Sequence, residues 1–358
     1  MARPAHLEPS KLGTREYWDA LYTTEIANHA HDPADTGTAW FDDSDAEAKL
    51  LEFLEAPGRA RDLGLDAATT SFLDLGTGNG ALLFALRDAG WAGPMLGVDY
   101  SAQSVRFARR VERARRRLSP REGGGGEGGE HDDDDDDEND GRKEEDTAGN
   151  DEGEEEEEEV DVHFAEHDIL HTPATALLDT RFASSVGDGW DVILDKGTFD
   201  AISLSAETLD AADANNNNTT ATTAAATADE SPRPRRVNEA YGTRILPLVR
   251  EGGLFLITSC NWTEAELRGW FEGDGALQEM PASSAALGGT ESENETENGN
   301  GNGNEGQRQR QQQQQQQQQQ TYWGFEVVGR VEYRSFSFGG VKGQTISSLC
   351  FRKVRKSR

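Results

Sequence analysis

The chain has 358 residues, 34% of them hydrophobic, and a formal net charge of −32, a length that admits one large or two ordinary domains. Its two cysteines, Cys260 and Cys350, exclude a disulfide framework, and no N-terminal signal core or run of ~18 apolar residues points to export or a membrane span. The expectation is a cytoplasmic protein, with the nucleus left open, that touches no membrane. The acidity is local: between residues 120 and 159, 22 acidic against three basic residues contribute −19, so it marks a solvated insert, and a basic nucleic-acid face is unsupported.

In chain order, the first 60 residues carry Tyr17, Trp18 and Tyr22 at helical spacing, then Trp40-Phe41. The stripe reads as core, and the segment, standing before the first strand, is expected to act as a lid. Residues 71–75 form a short apolar run ending in Asp74-Leu75-Gly76, and 81–89 follow with helical spacing. Residues 95–98 predict a second strand stopped at Asp99, and Ser101 caps a helix to about Leu118. That helix is rich in arginine (Arg106, Arg109, Arg110, Arg113 and residues 115–117). It runs into the acidic insert, so local charge compensation is expected before RNA binding. Further strands are predicted at 160–164, 191–194, 254–258, 325–333 and 345–351. Helices are predicted over 238–249, ended by Gly252-Gly253, and over 263–271, capped by Thr263.

Three stretches bury too little apolar surface to offset the entropy of ordering: approximately 120–159, 206–236 (Ala, Thr, Asn) and 282–320 (Gly, Asn, Glu, then Gln). Without them about 250 residues remain, which suits one compact α/β domain across 1–358 with an N-terminal lid over 1–60. Strands alternating with helices imply a parallel, doubly wound sheet. The last two strands, joined through Phe338-Gly339-Gly340, leave no room for a crossover helix and should pair antiparallel.

Gly76, Gly78 and Gly80 place a strand, a tight turn and a helix start in sequence, where a ligand can approach the backbone closely. Asp99 is placed to accept both ribose hydroxyls of an adenosine, with Tyr100 beside it. The glycines alone do not separate NAD from S-adenosylmethionine. Asp74 does, because a carboxylate there would repel a pyrophosphate but can accept from the α-ammonium of a methionine moiety. Asp168 and Ile169 would take the adenine amino group and ring. Trp40, on the lid, would face a sulfonium. No metal site is expected, and no His or Tyr–Lys pair suits hydride transfer.

The run Asp195-Lys196-Gly197-Thr198-Phe199-Asp200 ends the fourth strand, where a methyl acceptor would sit. It lacks the Pro-Pro-aromatic motif of nucleobase-amine enzymes. Asp195 is the expected positioning carboxylate for an acceptor amine and Trp262 an aromatic wall, each weighed against a purely structural role. Lys196 reads as a salt-bridge partner.

Taken together, Leu12-Gly13-Thr14, Glu16-Tyr17-Trp18-Asp19, Trp40-Phe41, the glycine motif from Leu73 to Gly80, Asp195-Lys196-Gly197-Thr198-Phe199-Asp200-Ala201-Ile202, Ile257-Thr258-Ser259-Cys260-Asn261-Trp262 and Phe336-Ser337-Phe338-Gly339-Gly340 resemble the eukaryotic class I methyltransferases that modify a lysine of translation elongation factor 1A. The resemblance covers nearly all of the foldable chain and skips the inserts. It implies a Rossmann-like, seven-stranded sheet ordered 3-2-1-4-5-7-6 with strand 7 antiparallel, S-adenosylmethionine as cofactor, mono- or dimethylation of a lysine, and a monomer. A small-molecule methyltransferase and a noncatalytic scaffold with an acidic arm are the competing readings.

Overall fold

The computed structural model describes residues 4–118, 162–178, 187–209, 235–273, 277–279, 321–338 and 341–357. The expected inserts 120–159 and 282–320 lie outside these residues, as does 210–234 of the other one. Seven strands order the sheet: β1 (Phe72–Leu75), β2 (Met95–Asp99), β3 (His163–Glu166), β4 (Trp190–Lys196), β5 (Val249–Ser259), β6 (Thr321–Arg330) and β7 (Ser347–Ser357). Their spatial order is 3-2-1-4-5-7-6, with the two-residue strand Gln278–Glu279 extending the β6 edge. β1 to β5 pair in parallel, and β7 is antiparallel to both β5 and β6. The helices are α1 (Arg15–His31), α2 (Ala46–Glu55), α3 (Arg59–Leu63), α4 (Ala81–Asp88), α5 (Ala102–Leu118), α6 (Thr198–Ser203), α7 (Asn238–Ile245) and α8 (Glu264–Phe271).

Strand alternation divides the core in two. Phe72, Val192, Leu194, Leu254 and Leu256 face one way, into a cluster with residues of α2, α4 and α5. Leu73, Leu75, Ile193, Phe255 and Ile257 face the other, into an aromatic cluster with Tyr241 of α7 and Phe271 of α8. The central strands are buried on both faces, as their continuous apolar runs require.

Several boundaries differ from expectation for identifiable reasons. The helix over 238–249 stops at Ile245 and tightens into a 3-10 turn at Leu246–Leu248, because Pro247 has no N–H to continue it. The Gly252-Gly253 pair therefore lies inside β5, which starts at Val249. β7 continues through its basic end because that end is covered. Lys353 donates to the Val249 carbonyl (2.7 Å), and the Lys353 and Arg355 cations lie 5.1 and 5.2 Å from the Trp323 ring centroid. The link between the last two strands is itself a two-stranded hairpin, Ser335–Phe338 with Val341–Gln344. The second insert is shorter than its composition suggests, since Leu209 N–H donates to Arg235 O and Val237 N–H to Glu207 O, zipping its two ends together. Three arginines of α5 find partners on the fold: Arg109 donates to Phe164 O, Arg115 pairs with Asp88 and Arg116 with Glu112. Thr263 and Glu266 form the full capping box of α8.

Candidate functional site

A cavity of about 500 Å³ opens at the carboxyl ends of β1, β2 and β4, where open parallel sheets bind their ligands. The N-terminal segment crosses it. Ser10 N–H donates to Leu204 O (3.0 Å), and Trp18 Nε1 ties the first helix back to Leu12 O (2.8 Å). Trp18 and Trp40 then meet at 5.2 Å between ring centroids, and both line the cavity together with the buried Tyr22. Trp18 is thus wall as well as core.

The floor is the loop after β1. Gly76 and Gly78 have φ of 66° and 60°, the left-handed region that glycine occupies at least cost. A Cβ on Gly76 would collide with the Thr198 side chain, and one on Gly78 would stand 2.8 Å from the Tyr22 hydroxyl. Gly80 serves differently from expectation. It is buried, a Cβ there would stand 2.6 Å from the Phe164 ring, and it is absent from the cavity wall. It lets α4 start against β3, and it is a packing glycine.

Asp74, Asp99, Tyr100, Asp168 and Ile169 all line this cavity. Burial pushes the Asp74 carboxyl up to about 7, against the lowering pull of the Thr77 hydroxyl and the Lys196 ammonium. Asp99 clamps the loop: its Oδ2 accepts from Gly78 N (3.2 Å) and Ser104 Oγ (2.8 Å), its Oδ1 from Ser101 N (2.9 Å). Burial pushes its carboxyl up to about 6 despite these donors. A carboxylate offers about four lone-pair sites, so capacity for ligand hydroxyls remains. Asp168 closes a turn by accepting from Leu170 N (3.0 Å) and His171 N (3.2 Å), and His171 and Arg15 also reach its Oδ2 (3.0 and 3.4 Å). Against the raising effect of partial burial, His171 and the Leu170 N–H hold its carboxyl below the usual range. Arg15 stacks over the Tyr100 ring at 4.6 Å and donates to the Tyr100 carbonyl. Arg15 went unread in the sequence because no local pattern links residue 15 to residues 100 and 168.

The other end of the cavity corrects the expectation for the acceptor. Asp195 is 1% exposed and does not line it. Its register partner is Leu75, so it faces the Ile193 side of the sheet, away from Asp74. There it accepts from Thr198 N (2.8 Å), Phe199 N (3.1 Å) and the Tyr241 hydroxyl (2.6 Å), fastening α6 and α7 to β4. Burial pushes its carboxyl up to about 7. Trp262 is likewise core: 3% exposed, its rings 6.1 Å from Phe199 and 5.5 Å from Trp270, its Nε1 donating to Ser203 Oγ (3.3 Å).

Phe41, Lys196, Asp200, Cys260 and Asn261 stand at the cavity instead. Asp200, in the first turn of α6, accepts from the Ser259 hydroxyl and from Cys260 N (2.8 Å), joining the ends of β4 and β5. Burial raises its carboxyl above the usual range. Cys260 is the exposed cysteine, and burial of the thiol with Asp200 nearby pushes it up to about 12, which leaves it protonated and unreactive at neutral pH. Phe41 holds φ of 65°, a costly conformation for an aromatic residue that bends the chain over Gly197. Lys196 Nζ lies 3.3 Å from Glu47 Oε1 and donates to Trp40 O (3.2 Å), the salt-bridge role the sequence suggested. Asp200 carried a readable signal, a second acid at the start of the helix after β4. Phe41 and Asn261 carried none beyond their neighbours.

Comparison with known proteins matches residues 66–119 to a methyltransferase domain. Over 75% of its length the chain is 31% identical to protein-lysine N-methyltransferase EFM4 of Saccharomyces cerevisiae, covering 83% of that protein. It is 32% identical to efm4 of Schizosaccharomyces pombe, with 76% of the chain and 84% of the relative covered. It is 27% identical to EEF1A lysine methyltransferase 2 of Homo sapiens, with 78% and 82% covered.

Proposed function

Because the chain belongs to the family of protein-lysine N-methyltransferases that includes EFM4 and EEF1A lysine methyltransferase 2, we propose that it methylates the ε-amine of a lysine in elongation factor 1A, with S-adenosylmethionine as cofactor. The observation that carries the reading is the row of Asp74, Asp99 and Asp168 along one cavity, above glycines that admit no Cβ. These residues fit the cofactor. Asp74 would hold the methionine ammonium, Asp99 the ribose hydroxyls and Asp168 with Ile169 the adenine. A volume of about 500 Å³ suits a ligand of that size. When bound, the cofactor supplies a methyl group on a sulfonium, ready for in-line displacement.

The chain's own residues must then present an unprotonated amine. A free lysine has a pKa near 10.4, so only about one in a thousand is neutral at pH 7.4. Phe41, Asp200 and Asn261 would form the acceptor end, with Trp40 closing the wall toward the sulfonium. An aromatic wall excludes water and orients the lysine stem, and the Asn261 amide offers a neutral polar contact. Asp200 already accepts from Ser259 and Cys260, and a carboxylate stabilises ammonium, so it positions the incoming group and does not serve as its base. Alignment at near-attack distance is the main contribution such a site makes.

The test is transfer of labelled methyl from S-adenosylmethionine to purified elongation factor 1A, with the product mapped by peptide mass spectrometry. Label confined to a lysine supports the proposal. Cofactor binding without label on elongation factor 1A would move the acceptor to another protein.

A further inference from the structure

Lys196 occupies a place that the reaction as described does not use. It is the last residue of β4, and strand alternation puts it on the face of Leu194, whose register partner in β1 is Asp74. Asp195, one residue earlier, faces the opposite layer. The Lys196 side chain is 13% exposed, and both of its partners, the Trp40 carbonyl and the Glu47 carboxylate, belong to the segment crossing the cavity. Trp40 in turn packs on Trp18. A surface ion pair of this spacing would be incidental, but this pair stands beside a buried acid. Asp74 and Glu47 repel one another there, and the Lys196 charge opposes that repulsion.

We propose that Lys196 is a positioning residue for the cofactor's amino-acid end, because its ammonium offsets the repulsion between Asp74 and Glu47 while fastening Trp40 over the cavity. The inference rests on the reading that the cavity takes S-adenosylmethionine. Without the Lys196 charge, Asp74 would be mostly protonated at neutral pH and would hold an α-ammonium less tightly. Without Glu47, the Lys196 charge would act on Asp74 alone. The two substitutions therefore push Asp74 in opposite directions, which a loosened salt bridge would not do.

The groups that act on Asp74 are Thr77 on its own loop, Lys196 on β4, Glu47 on α2 and Asp99 on β2, with Tyr241 on α7 acting from the opposite face of the sheet. Asp99 also titrates in the useful range, but its donors are Ser101, Ser104 and Gly78, which neither substitution touches. The experiment is calorimetric binding of S-adenosylhomocysteine from pH 5.5 to 8 by the unmodified protein and by Lys196→Met, Glu47→Gln and Lys196→Arg. The ligand's own amine titrates identically in all four. Affinity of the unmodified protein should fall as pH drops through Asp74's midpoint. In Lys196→Met the midpoint should rise by about one unit, which near pH 7 weakens binding about fivefold. In Glu47→Gln it should fall by about half a unit, and Lys196→Arg should return it toward the unmodified value. An unmoved midpoint, or a shift in the same direction for Lys196→Met and Glu47→Gln, would overturn the role of Lys196 while leaving the cofactor in place. Failure of the unmodified protein to bind S-adenosylhomocysteine at any pH would overturn the cofactor reading itself.

Discussion

Asp74 and Asp195 are the penultimate residues of neighbouring parallel strands, one step apart in register, and burial raises both carboxyls to about 7. Yet one lines the cavity and the other is sealed beneath α6 and α7. The difference is strand alternation alone: Asp74 shares a face with Leu194 and Lys196, whereas Asp195 shares one with Leu75 and Ile193. An acid at a strand end is thus a ligand group or a structural clamp depending on the parity of its position. The proposed cofactor end of the site is built on β1 and β2, and the proposed acceptor end on the turns that follow β4 and β5.

Substitutions can break this comparison. The largest expected effect is that of Asp195→Ala on stability. It strands the Tyr241 hydroxyl and two backbone N–H groups in the core, so urea denaturation should show a loss of about 3 kcal/mol or more, with less loss for Asp195→Asn. A loss near zero would mean that Asp195 is not the clamp. Next is Asp200→Asn, which should lower the methyl-transfer rate at least tenfold while leaving S-adenosylhomocysteine affinity nearly unchanged. Loss of affinity instead would move Asp200 to the cofactor end.

Both carboxyls are raised alike, but Asp195 also anchors three donors in the core, so a different response to substitution is expected of Asp74. Its folded-state carboxyl is raised from 3.8 to about 7, so the stability it confers is fully present below about pH 4 and is lost as pH rises toward 7. Asp74→Asn should therefore stabilise the cofactor-free protein at pH 8 by on the order of 1 kcal/mol, and by nothing at pH 4. Thermal melts at the two pH values decide it, and destabilisation at pH 8 would contradict the assignment. The smallest effect on turnover is expected of Trp262→Phe, which gives up the bond to Ser203 and part of the ring volume packed on Phe199 and Trp270. It should cost about 1–3 kcal/mol of stability and leave turnover per folded molecule intact, and a selective loss of turnover would return Trp262 to the acceptor site.

The cofactor end was legible in sequence because its parts lie close together: a strand, a glycine turn, and an acid at the end of the next strand. Asp74, Asp99, Asp168 and Ile169 follow local patterns that the fold merely brings to one edge. The acceptor end was not legible in the same way. The motif from Asp195 to Asp200 marked the right place, but choosing Asp195 over Asp200 required knowing where β4 ends and which face each residue takes. Trp262 looked like a wall because it follows β5, and only the packing of Phe199, Trp270 and Ser203 around it shows that it is core. Phe41 and Arg15 act through contacts distant in sequence that no spacing rule encodes. The sheet order followed from resemblance and from the short final connection, whereas the end of α7 turned on a single proline.

The most direct test of the account compares S-adenosylhomocysteine affinity for Asp74→Ala and Asp195→Ala at equal folded concentration. Binding should be at least tenfold weaker for Asp74→Ala, from loss of a charge-assisted bond of about 1.5–3 kcal/mol. Folded Asp195→Ala should bind nearly as well as the unmodified protein. Equal losses, or a larger loss at Asp195, would contradict the division of these two acids between ligand and scaffold.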